Sequence, residues 1–195
     1  HDRSARAVEE VAKDVDQSLE DVKELLGLGG TPPMKAVIIN SAREAVRSFP
    51  FVSRAATDGH ILGGFAYGEY DIFVLVGLSR DGMVHEMTHL LIDEALSSPL
   101  AKIPSWLNEG LAMYFESGSR GREATLTQAA RGGRLIPLRA MGRVPGRPSD
   151  VRLFYAQAAS LVNQMIEAHG PEKMGDLLAA INEGDRVDEA VLRVY

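Results

Sequence analysis

Val8, Val11, Val15, Leu19, Val22 and Leu26 recur at steps of three and four with charged residues between them. That spacing lays an apolar stripe along one side of a helix spanning roughly residues 4–26, and such a stripe ordinarily packs on its own domain rather than on a partner. "GLGGTPP" at 27–33 ends the helix, because glycine supplies left-handed caps and proline cannot continue it. "MKAVIIN" at 34–40 is a short run of branched residues and predicts a strand. "SAREAVRSF" opens on Ser41 with Glu44 three positions later, the signature of a capped helix. After "ATDGH", the runs "ILGGFA" at 61–66 and "DIFVLVG" at 71–77 predict two more strands joined through "YGEY".

From Gly82 the pattern turns helical as far as "SSPLAKIPS", and it resumes in "WLNEGLAMYFES" at 106–117. Residues 118–150 hold six Gly, three Pro and many Arg, and predict a long irregular segment that either lids a cleft or stays loose. "VRLFYAQAASLVNQMIEAHG" at 151–170 is a helix closed by Gly170, and Pro171 opens another near "EKMGDLLAAINEG". The order predicts one α+β domain over residues 1–195, divided into an N-terminal helix (1–26), a small mixed sheet (34–80), two motif-bearing helices (82–117), an irregular segment (118–150) and C-terminal helices (151–195).

Composition narrows the chemistry. A chain of 195 residues, 45% hydrophobic, can bury a substantial core. Its net charge of −6, with no face that concentrates Lys and Arg, argues against nucleic acid as a partner. With no Cys, disulfides, thiolate zinc sites and Cys nucleophiles are excluded, so any metal must be held by His, Asp or Glu. "IFVLVGL" at 72–78 is far shorter than the ~20 residues of a membrane-spanning helix. The first residue is His1 rather than Met, so the chain is expected to be a processed or excised piece.

Within the first of the two motif-bearing helices stands "VHEMTHLL", with His85 and His89 four apart and Glu86 directly after the first. Positions four apart on a helix differ by only about 40° in direction, so both imidazoles can reach one ion. Glu86 is turned about 100° from His85, beside such an ion rather than on it, where a general base acting on water would stand. With 5 His and 15 Glu, an H-E-x-x-H arises by chance in roughly 1% of such chains, so the motif needs support. A catalytic zinc takes three protein ligands. Glu109 in "PSWLNEGLAMYFE" follows His89 by 20 positions across a proline-containing break, and its apolar neighbours would make an unpaired carboxylate costly.

These two motifs resemble those of the gluzincin branch of zinc metallopeptidases, and most of all the bacterial peptidase MA-like domains. Residues 8 to about 190 run through that family's order of N-terminal helix, strand, glycine-containing hairpin, H-E-x-x-H helix, W-x-N-E-G helix and "Y-A-Q" helix. The resemblance implies a zincin-like fold, Zn2+ as cofactor, His85, His89 and Glu109 as its ligands, Glu86 as general base and a peptide or protein as substrate. It also implies an extracytoplasmic or membrane-attached setting in bacteria.

Many relatives place an Asp four residues after the ligand Glu, where this chain has Met113, so Asp93, one turn beyond His89, is the candidate to hold the His89 ring. The "G-A-M-E-N" run of the aminopeptidase relatives is missing from "GGFAYGEYDIF", which disfavours an N-terminal exopeptidase. Tyr155 opens the "Y-A-Q" helix and is the candidate oxyanion donor, although a Tyr there serves equally well in packing. His60, Tyr67 and His169 are lesser candidates, and a helix C-terminus accounts for His169 without chemistry. Trp106 reads as the anchor of its helix rather than a wall of the substrate site. Substrate is expected to lie extended along an edge strand at 61–66 or 72–76. The competing reading is a domain that holds zinc for structure or partner binding, with its fourth position closed.

Overall fold

The computed structural model describes residues 2–41, 63–118 and 120–195. Helix α1 (Asp2–Leu26) buries Val15, Val22 and Leu26 of the predicted stripe, with Ser18 and Leu25 beside them, and leaves Val8 exposed. It stops at Gly27, where φ is 68° and the Leu28 N–H returns to the Lys23 carbonyl at 2.9 Å, a left-handed cap that a residue with a Cβ adopts only under strain.

Strands β1 (Lys35–Ile39), β2 (Gly64–Tyr67) and β3 (Ile72–Val76) form a sheet in the order β1-β3-β2, with β1 parallel and β2 antiparallel to β3. A 3₁₀ turn at Gly68–Tyr70 closes the hairpin. β3 is therefore the central strand, which overturns the expectation that 72–76 could be an edge against which a substrate lies. The predicted helix after Ser41, the "ATDGH" turn and the start of the "ILGGFA" strand lie outside the described residues.

Helix α2 (Arg80–Ala95) begins two residues earlier than its pattern suggested, because the Ser79 hydroxyl caps it by accepting from the Gly82 N–H at 3.1 Å. It is packed between α1, the sheet and α3 (Ser105–Tyr114), so Val84, Leu91 and Ile92 are wholly buried. The irregular segment expected at 118–150 is corrected in part. "REATLTQAAR" lies in helix α4 (Arg120–Arg131), where strong helix formers outweigh the glycines at 118 and 121. Beyond it the chain is irregular apart from a short turn at Leu138–Ala140, but it is not loose. Gln157 takes both polar groups of the Ile136 backbone, at 2.7 and 3.1 Å, and Met141 is completely buried with its carbonyl on the Trp106 N–H.

Helix α5 (Pro148–His169) starts with proline in its first turn and ends at Gly170, and α6 (Pro171–Asn182) and α7 (Val187–Val194) follow. α5 lies directly on α3: a Cβ at Gly110 would come within 2.6 Å of both the Ala158 carbonyl and Val162 Cγ2. Among the described residues the chain is a mixed α+β protein of seven α-helices and a three-stranded sheet.

Candidate metal centre

His85 and His89 project from one face of α2, and Glu109 meets them from α3. The two Nε2 atoms are 3.2 Å apart, and Glu109 Oε2 stands 3.3 Å from His85 Nε2 and 3.6 Å from His89 Nε2. One donor atom from each residue lies within 4.8 Å of the other two.

The outer nitrogens decide what the inner ones offer. His85 Nδ1 is 2.8 Å from Glu116 Oε1, and His89 Nδ1 is 3.2 Å from Asn108 Oδ1. Both partners are acceptors, so each Nδ1 carries the hydrogen and each Nε2 turns a lone pair toward the shared point. Glu109 Oε2 is buried there with no hydrogen-bond partner. Three electron-rich atoms facing one another repel unless a cation lies among them, and a two-imidazole, one-carboxylate set suits zinc or a similar divalent ion. The protein's own charges express the same demand. Burial opposes protonation of His85, yet Glu109 and Glu116 outweigh it and hold its pKa up at about 10. Burial opposes ionisation of Glu109, yet the two histidines outweigh it and hold its pKa down at about 2.

Glu86 is 7% exposed and borders the cleft without joining the cluster. Burial raises its pKa against the pull of His85 and His89, so the carboxylate is more basic than a solvated one. It rests against Gly64 of β2, where a Cβ would fall 2.7 Å from Glu86 Cγ and 2.8 Å from its carboxyl carbon. A larger residue at 64 and the present Glu86 rotamer exclude each other.

Asp93 does not hold the His89 ring, whose Nδ1 meets Asn108 instead. Its carboxylate packs on Gly68, whose missing side chain leaves the room: a Cβ there would stand 3.0 Å from Asp93 Cγ. The partner of the other histidine is Glu116, just past the end of α3, and its second oxygen takes a hydrogen bond from Arg122 on α4. Neither Asn108 nor Glu116 was singled out from the sequence. Asn108 could have been, since it adjoins Glu109 within the quoted motif, and so could Glu116, two helical turns beyond the ligand.

The cluster opens into a cleft of about 1590 Å³ bordered by Gly63–Ala66, the α2 site residues, and Tyr155 on α5. Burial first, and then the carboxylates of Glu109, Glu86 and Glu116, push the Tyr155 hydroxyl to a higher pKa, so it stays a neutral donor across ordinary pH. His169 is not at this cleft but stacks on Tyr195 with ring centres 4.9 Å apart, and Tyr67 lies near Phe65 at 4.6 Å. His60 lies outside the described residues. Trp106 is buried in the core, as an anchor of α3 would be.

No curated protein and no solved structure matches the chain. A family comparison does, over residues 16–195, which takes in the sheet, both motif-bearing helices and the helices after them. On that match the chain belongs to the Peptidase MA superfamily.

Proposed function

We propose that the chain is a zinc-dependent endopeptidase of the gluzincin type. The observation that carries the reading is the convergence of His85 Nε2, His89 Nε2 and the orphaned Glu109 Oε2, each imidazole turned inward by an acceptor behind it. Those three residues would hold the ion. When bound, zinc would act as a Lewis acid, bringing the pKa of water toward ~7 and polarising a substrate carbonyl.

The remaining work falls to the chain's own groups. Glu86, raised in basicity by burial, takes the proton of the attacking water and delivers it to the departing amine nitrogen. Tyr155 donates its hydroxyl hydrogen to the oxygen that gains charge as the carbonyl carbon becomes tetrahedral. Substrate lies extended beside β2, which borders the cleft where β3 does not. The cleft exceeds the ~300–1000 Å³ of a small-molecule pocket, which favours a run of several residues over a single terminal one.

Zinc content combined with a degenerate-peptide cleavage profile tests the proposal. Protein purified without added metal should carry zinc near one per chain or take it up on reconstitution, and cleave internal bonds. Glu86→Gln and Tyr155→Phe should retain zinc while lowering kcat by about 10²–10⁴ and about 10²-fold, respectively. A chain that refuses zinc, or a Glu86→Gln variant with full activity, would sink it.

A further inference from the structure

Residues 131–152 carry six arginines and one carboxylate in a chain of net charge −6. One of the arginines, Arg152, lines the cleft, and Arg143 and Arg147 adjoin in sequence its lining residues Val144, Pro145 and Gly146. All three are exposed, and none of their guanidinium groups has a hydrogen bond or ion pair among the described residues. Arg122 differs, being engaged with Glu116. The first turns of α5, with Pro148, Val151 and Arg152, border the same cleft. The α2 residues that line the cleft include Asp81, Glu86 and Asp93. The cleft thus meets a basic residue on α5 and acidic ones on α2.

We propose that the cleft selects polypeptide substrates bearing acidic side chains, received by Arg143, Arg147 and Arg152. The proposal rests on the peptidase reading and adds the substrate class. Arginine suits the task, because its planar fork pairs with a carboxylate through two parallel hydrogen bonds. Unpaired guanidinium groups also need not break an internal ion pair to do so. The acidic side chain must point toward α5, since the α2 carboxylates repel it.

The test uses the zinc-loaded chain and three pools of fluorogenic peptides, identical except for Glu, Gln or Lys at the positions flanking the scissile bond. The expected order of kcat/KM is Glu over Gln over Lys, with a Glu-to-Lys ratio on the order of tenfold that shrinks between about 50 and about 500 mM salt. R143E/R147E/R152E should reverse the order with zinc content and circular dichroism retained. If that variant does not fold, Arg152→Gln alone should reduce the ratio severalfold. Equal cleavage of all pools would overturn the proposal while leaving the peptidase reading intact. If no pool is cut, anisotropy of labelled peptides on zinc-loaded Glu86→Gln separates the two ideas: tighter binding of the Glu pool, lost in the reversed variant, supports the acidic preference without the chemistry, and equal binding overturns it. Stronger association with phosphatidylserine vesicles than with the Glu pool also overturns it, in favour of a membrane surface.

Discussion

Glu86 can lie where it does only because residue 64 has no side chain. The Cβ of Gly64→Ala would fall inside the van der Waals radius of Glu86 Cγ and its carboxyl carbon, and α2 is too closely packed to retreat. We expect Gly64→Ala to keep its zinc and to lose about 10² in kcat, since a displacement near 1 Å of a catalytic group carries that order of cost. Unchanged kcat would show that the carboxylate has another place to stand. Glu116 makes a different kind of contribution. It touches no reacting atom, but it fixes which His85 nitrogen is protonated, and Arg122 holds its other oxygen. Glu116→Gln keeps the shape and removes the charge. Its zinc affinity, measured by competition with a chromophoric chelator, should fall about 10–100-fold, and an unaltered dissociation constant would reduce Glu116 to a packing residue.

Helix α3 carries the proposed carboxylate ligand and is seated by that residue's neighbour in sequence, Gly110. A Cβ there meets the backbone of α5 at Ala158, an obstacle that cannot rotate aside as a side chain can. Gly110→Ala should therefore cost about 1–3 kcal/mol and lower the thermal midpoint by roughly 3–10 °C. It should also weaken zinc binding, because Glu109 moves with the helix, and an unshifted midpoint would contradict the close approach.

At this scale periodicity and side-chain chemistry told different amounts. The stripe of α1 and the run of β3 were legible because each buries a recognisable set of apolar positions, whereas β1 showed through its branched residues although only Ile39 of them is buried. α4 was hidden because its evidence is propensity without a stripe, interrupted by Gly121. Asp93 looked like the partner of His89 because helical spacing puts it one turn away. Spacing on one helix says nothing of Asn108, which arrives from another, and Asn108 faces that ring. Glu116 stands at a legible spacing, two turns beyond Glu109, but it follows the end of its helix, so the direction of its side chain is set by tertiary packing and not by that spacing.

Across the whole molecule the candidate metal centre couples folding to pH. After chelation, His85 has a folded pKa of about 10 against 6.5 for an unperturbed histidine, so the stability it adds is complete below pH 6.5 and is lost as pH rises through 10. Glu109, at about 2 against 4.5, works in reverse: its share is present above pH 4.5 and disappears as pH falls through 2. Glu86, raised by burial, adds to the loss on the alkaline side. The chelated protein should thus melt highest between pH 4.5 and 6.5 and progressively lower toward pH 10. Zinc replaces the proton on His85, so its affinity should rise over that alkaline interval. At a hundredfold excess over Kd it should add about 2.7 kcal/mol to stability. Calorimetry across pH, with and without chelator, checks both slopes, and parallel curves would separate the ion from the fold.

Gln157 grips the Ile136 backbone by its N–H and its carbonyl, from a point on α5 only two residues past Tyr155. The irregular stretch before α5 is therefore tethered to the same rigid rod that carries the phenol. The ordering entropy of that tethered stretch is spent when the chain folds, so a peptide bound beside Tyr155 would not have to supply it again.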